Sequence, residues 1–205
     1  MCQKKIITVL LFCFFVGIIS TSNIYAQTKE GSYFKRNSFQ RIHLGLFNSF
    51  FSNNIGIMTA GYDYGLKFFR IKPELNLMDL NLGVNILAAF DEQEDLTKDR
   101  PQYVRIVPGF ELNWNIRLYV LPIQKINTKV YIEGTGMTLV FYTSPYPNNG
   151  TKLNIGSHLG LGMDYQINPA LRGFTSLRFM HTSNGKSYEK NPAVNAIGIV
   201  SGLQF

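Results

Sequence analysis

Cysteine is nearly absent. The 205-residue chain has two, Cys2 and Cys13, and both lie in the opening stretch, residues 1–26. If that stretch is removed, neither a disulfide nor thiol chemistry remains. Long apolar runs are also missing. Beyond Ile6 to Ile19 nothing approaches the roughly 18 to 20 continuous apolar residues of a spanning helix. Only three histidines occur, and no His, Cys, Asp or Glu spacing describes a metal site. No basic–aromatic cluster points to nucleic acid. No repeat, low-complexity tract or domain linker interrupts the chain, and nothing in it calls for a cofactor.

The N-terminus has the layout of an export signal: Lys4 and Lys5, the apolar core Ile6 to Ile19, and a cleavage site at Ile24-Tyr25-Ala26. The expected organisation is a signal peptide over residues 1–26 and one domain over residues 27–205. Loss of Lys4 and Lys5 lowers the formal net charge from +7 to +5. This modest basic excess suits anionic lipid head groups. Aromatics are abundant, with 16 Phe and 11 Tyr, and suit belts at two membrane interfaces.

From Arg41 onward the dominant signal is a period of two. Ile42, Leu44 and Leu46 alternate with Arg41, His43 and Gly45. Leu80, Leu82, Val84, Ile86, Ala88 and Phe90 alternate with Asn81, Gly83 and Asn85. Val104, Ile106, Phe110, Leu112, Trp114, Ile116 and Leu118 oppose Arg105, Glu111, Asn113, Asn115 and Arg117 over Gln102 to Leu118. Leu153, Ile155, Leu159, Leu161 and Met163 oppose Lys152, Asn154, His158 and Asp164. Gly134-Thr135-Gly136 interrupts a run from Lys129 to Tyr142 and reads as a bulge. Asp91 to Pro101 reads as a charged extracellular loop, Val120 to Asn127 as a turn, and Thr143 to Gly150 as another.

Alternation repeated over ten or more residues excludes helices. One apolar face and one small or polar face per strand is the pattern of a membrane barrel. Nine candidate runs appear, three of them between Ile55 and Phe90. Bacterial barrels have even strand counts, so two of those three are expected to merge or to form one bent strand. The expected fold is an all-β, eight-stranded antiparallel transmembrane β-barrel. With both ends periplasmic, the Asn184 to Ala193 loop is extracellular. Arg105, Glu111, Arg117, His43 and His158 are expected in a polar lumen.

The last two runs depart from this scheme. Leu171, Thr175, Leu177, Phe179, His181 and Ser183 share the apolar parity, as do Asn195, Ile197, Ile199, Leu203 and Phe205 after the connection. A histidine and a serine two apart on a lipid-facing side have little structural use. A hydroxyl becomes a nucleophile when an adjacent base takes its proton, and imidazole suits that work. The bland alternatives are an interfacial histidine, a serine at a strand end, and Asn184-Gly185 as turn chemistry.

Phe179-Met180-His181-Thr182-Ser183-Asn184-Gly185 resembles the His-x-Ser-Asn signature of the lipid A 3-O-deacylases, the PagL-like acyloxyacyl hydrolases. The likeness continues through Asn191, Val194 and the final run. It implies an outer-membrane serine esterase that removes an ester-linked acyl chain from lipid A, with lipopolysaccharide as the partner molecule. By matching positions Ser183 is the nucleophile and His181 the general base, while Asn184 and Gly185 position substrate or oxyanion. The family has a glutamate where this chain has Asn195, whose amide oxygen can still fix the imidazole tautomer. Glu189 is a substitute acid. The reading admits a homodimer without requiring one. The alternative is a non-catalytic small barrel, adhesive or structural, with a degenerate site.

Overall fold

The computed structural model describes residues 38–50, 55–72, 75–93, 103–123, 128–147, 150–185 and 192–205. Expectations for the signal peptide and Glu189 fall outside the described residues. Eight strands follow one another: β1 (Ser38–Ser49), β2 (Ile55–Lys72), β3 (Leu75–Gln93), β4 (Tyr103–Ile123), β5 (Thr128–Tyr146), β6 (Thr151–Asn168), β7 (Leu171–Ser183) and β8 (Val194–Gln204). Each pairs antiparallel with the next, and β8 pairs with β1, so the sheet closes into a barrel. At the closure Gln40 and Phe205 exchange backbone hydrogen bonds of 2.9 and 3.0 Å. Among the described residues closure leaves no strand edge unpaired. Among the described residues no helix is long and apolar enough to cross a membrane.

The alternation predicted from sequence sets inside from outside. Leu46 is 60 % and Ile199 57 % exposed on the outer wall, whereas Arg41 and Arg117 are fully enclosed. Leu161, Leu177, Ile199 and Leu46 line up across β6, β7, β8 and β1 as a continuous outward row. Such a wall is unfavourable in water and matches hydrocarbon.

Four boundaries differ from the sequence reading. The runs Ile55 to Tyr64, Phe69 to Leu77 and Leu80 to Phe90 do not merge pairwise. The middle run is split between β2 and β3, where Lys72 pairs with Leu75. Pro73, with no N–H to give a ladder, lies between them. β4 runs through the expected Val120 to Asn127 turn as far as Ile123, with Pro122 opposite Lys129. Proline is tolerated near a strand end beside a register shift, and one falls between Tyr119 and Leu121. β5 continues to Tyr146, so the turn there narrows to residues 147–150, closed by a 2.7 Å bond from the Gly150 N–H to the Pro147 carbonyl. Similarly, β3 takes in Asp91 to Gln93 of the expected loop.

The bulge lies in β5, where Gly136 and Met137 both face outward. Before it Tyr131, Glu133 and Thr135 point inward; after it Thr138, Val140 and Tyr142 do. One extra residue restores the inward set on the other parity.

The interior has two layers. Toward the end bearing the chain's C-terminus it is charged. Arg41 pairs with Asp79 at 2.8 Å; Arg117 pairs with Glu133 at 3.0 Å and Asp164 at 2.9 Å; Arg178 pairs with Glu133 at 2.8 Å. The Tyr119 hydroxyl lies 2.7 Å from Asp79 and 2.6 Å from Asp164, linking the two sets. Gly160 and Gly162 of β6 make this possible, since a Cβ there would come within 3.1 Å of Glu133 and 2.5 Å of the Tyr131 hydroxyl. Further along, His43, Asn85, Glu111 and His158 form a hydrogen-bonded chain at 3.0, 2.6 and 2.6 Å. Arg105, Glu111 and Arg117, all expected in the lumen, have separate partners among the described residues. Arg105 binds Ser144 and the Pro145 carbonyl. Toward the other end the interior is apolar, with Ile57, Val107, Tyr146, Met180, Val194, Ala196 and Val200 in one cluster.

Candidate functional site

The β7–β8 connection leaves the barrel at the apolar end. On β7 the inward residues Met180 and Thr182 are buried, while His181 and Ser183 face outward and are half-exposed. On β8 Val194 and Ala196 are buried and Asn195 faces outward. The packed residues behind the wall fix the backbone from which the three polar side chains project.

His181 pairs in register with Asn195. Their side chains meet, with His181 Nδ1 2.8 Å from Asn195 Oδ1. An amide oxygen only accepts, so this bond puts the imidazole proton on Nδ1 and leaves Nε2 as a base. Ser183 is two residues from His181 on the same face. Among the described residues no hydrogen bond joins its Oγ to the imidazole; such bonds are commonly long before substrate binds.

Asn184 is only 3 % exposed, so its side chain is enclosed and does not lie on the outer wall. Gly185 follows at φ 64°, a left-handed conformation that costs glycine little. It packs against the outer side, where an added Cβ would meet Ile155 Cδ1 at 3.2 Å. Ile155 is in turn the register partner of Ser183. Phe50, at the end of β1, donates its N–H to the Asn195 carbonyl at 3.1 Å. Its ring stacks on Phe179 with centroids 6.1 Å apart and planes at 23°. Since β8 lies between β1 and β7, the two rings lean toward each other over β8. The sequence alone could not flag Phe50, because its proximity depends on barrel closure.

His43 and His158 lie in the lumen, away from this group. Among the described residues no cluster of three or more His, Cys, Asp or Glu could hold a metal. The arrangement offers a hydroxyl, an oriented imidazole and a turn, opening on the apolar exterior.

Among solved structures the chain is similar to Neisserial surface protein A (NspA), with 11 % identity and a TM-score of 0.50, covering 85 % of this chain and 98 % of that one. It is also similar to the N-terminal β-barrel domain of Pseudomonas aeruginosa OprF, with 16 % identity and a TM-score of 0.46, over 82 % of this chain and 98 % of that one. No curated protein matches the sequence. The profile described as lipid A 3-O-deacylase (PagL) matches residues 76–204, a span that contains His181, Ser183 and Asn195. The chain therefore belongs to the lipid A 3-O-deacylase (PagL) family.

Proposed function

We propose that this protein is an exported outer-membrane esterase that removes an ester-linked acyl chain from lipid A. The observation that carries the reading is the 2.8 Å contact between His181 and Asn195 on the outer wall, with Ser183 on the same face. A barrel that only sealed or adhered would gain nothing from an oriented imidazole turned toward acyl chains.

In this reading each of the three residues has one role. Ser183 Oγ attacks the ester carbonyl while His181 Nε2 takes its proton. The carbonyl electrons move to oxygen, and the turn amides at Asn184 and Gly185 meet that charge. The intermediate collapses, the C–O bond to the sugar breaks, and the imidazolium returns the proton to the departing alkoxide. Water, deprotonated by His181, then attacks the Ser183 ester, the acyl–Oγ bond breaks, and the imidazolium returns the proton to Ser183 Oγ as the fatty acid leaves. Asn195 keeps the proton on Nδ1 throughout.

The second reading, a non-catalytic barrel, draws on Asn195 in place of an acid. Mass spectrometry of lipid A from Gram-negative cells expressing the protein separates the two. The esterase reading expects loss of one ester-linked acyl chain, abolished by Ser183→Ala in protein that still folds. Unchanged lipid A in the presence of the folded natural protein would leave only the non-catalytic barrel.

A further inference from the structure

Between Leu153 and Met163 the outer face of β6 carries Leu153, Ile155, Ser157, Leu159, Leu161 and Met163. Ser157 is the one hydroxyl among apolar neighbours. It is also the register partner of His181, as Ile155 is of Ser183. The site end of the wall therefore has a polar row, Ser157, His181 and Asn195, on three adjacent strands. Among the described residues nothing hydrogen-bonds the Ser157 hydroxyl.

His181 turns Nδ1 toward β8. The two ring nitrogens diverge, so Nε2 is directed away from Asn195, and the outward hydroxyls on that side are Ser183 and Ser157. Backbone context separates their roles. Ser157 lies within the ladder, between Gly156 and His158, which pair with Thr138 and Thr135 of β5 and with Thr182 and Met180 of β7. Ser157 pairs with His181 of β7, and beside the β5 bulge the His158 N–H is taken by Thr135 Oγ1 at 2.8 Å, so the amide next to Ser157 is not available to an oxyanion. Ser183 ends β7, and the turn that follows it leaves the ladder. Ser157 is thus poorly placed as a nucleophile and well placed to contact substrate. Its level on the wall is two residues from that of Ser183 toward the middle of the barrel, about 6.7 Å along a strand. That is the direction in which a bound acyl chain runs.

We propose that Ser157 is a specificity-determining residue, hydrogen-bonding an oxygen carried by the acyl chain a few carbons from the ester carbonyl. The inference rests on the esterase reading and gives that site its substrate preference. A site built to hydrogen-bond a substrate oxygen discriminates against the analogue that lacks it.

The test uses the full protein in detergent micelles with two glycolipid esters of equal chain length, one of a 3-hydroxy fatty acid and one unsubstituted. The natural protein is expected to cleave the hydroxylated ester faster. Ser157→Ala lowers that preference about tenfold, and Ser157→Thr, which restores a hydroxyl, recovers it. Binding of both esters is measured in parallel to Ser183→Ala and to Ser183→Ala/Ser157→Ala, where only the first should favour the hydroxylated ester. Equal binding ratios in these two proteins overturn the role of Ser157 whether or not hydrolysis is seen. Absence of hydrolysis by the natural protein, with the binding difference intact, counts against the esterase alone. Activity that survives Ser183→Ala and disappears in Ser157→Ala makes Ser157 the nucleophile and overturns the proposal.

Discussion

Asn195 accepts a hydrogen bond from His181 at 2.8 Å across one β7–β8 register pair, and it brings no charge to the bond. In a triad the third group does two things: it selects the tautomer and stabilises the imidazolium. Asn195 supplies the first. Asn195→Ala removes both the acceptor and the tautomer choice, so turnover is expected to fall by about 10² to 10⁴, on the scale of the wrong-tautomer loss in serine proteases. Asn195→Glu adds the charge and is expected to match or exceed the natural protein. Ester hydrolysis at saturating substrate checks both; an Asn195→Ala protein of full activity removes Asn195 from the mechanism.

An uncharged orienting group depends on a backbone held in place, and Phe50 braces that backbone: its N–H binds the Asn195 carbonyl at 3.1 Å, and its ring stacks with Phe179 across β8. Phe50→Ala keeps the backbone bond and loses the stack. Turnover should fall several-fold with little change in KM, because the imidazole–amide geometry loosens while the outer face of β6 is untouched. Phe50→Trp, which keeps an aromatic face, should recover most of it. A change confined to KM would instead make the pair a binding surface.

Much of this was legible in sequence because lipid and lumen demand opposite chemistry on alternate residues. Leu44 and His43, or Leu161 and Gly160, announce their faces without a structure. The β5 bulge was legible too, since Gly134-Thr135-Gly136 breaks the period just where the inward set changes parity. Strand ends were not. Beyond the apolar band the chain keeps pairing without a hydrophobic pattern to mark it, so β4 passed through Pro122 and β5 reached Tyr146. The apolar layer inside the barrel was also hidden. Val107 and Val200 sit on a parity that elsewhere carries charge, and only packing shows them joined. At the site, parity put His181, Ser183 and Asn195 on one face, but Ser157 and Phe50 needed the register of β6 and β1.

The lumen charges act as a set. Arg117, 1 % exposed, serves Glu133 and Asp164 together. Arg117→Met leaves two buried carboxylates short of a partner, and removing one member of a buried pair costs about 3 to 5 kcal/mol. Tyr119→Phe, which removes the hydroxyl between Asp79 and Asp164, should cost about 1 to 3 kcal/mol. Denaturant unfolding in lipid vesicles measures both. Folded fractions of each variant should retain hydrolysis, because the site lies at the opposite, apolar end of the interior.

The outer wall gives the complementary test. Ile199 is 57 % exposed and sits in the row with Leu161, Leu177 and Leu46. In water an exposed isoleucine replaced by lysine is nearly neutral or slightly favourable. In hydrocarbon the same change strands a charge away from head groups, and near the bilayer midplane it costs about 2 to 4 kcal/mol. Ile199→Lys should therefore destabilise the protein in vesicles by an amount in that range. Ser201→Lys, two residues closer to the end of the same strand and already polar, should cost far less because its ammonium can reach the interface. Equal and small effects at the two positions would mean that this wall does not face lipid, and the acyl chain would then have no route to His181 and Ser183.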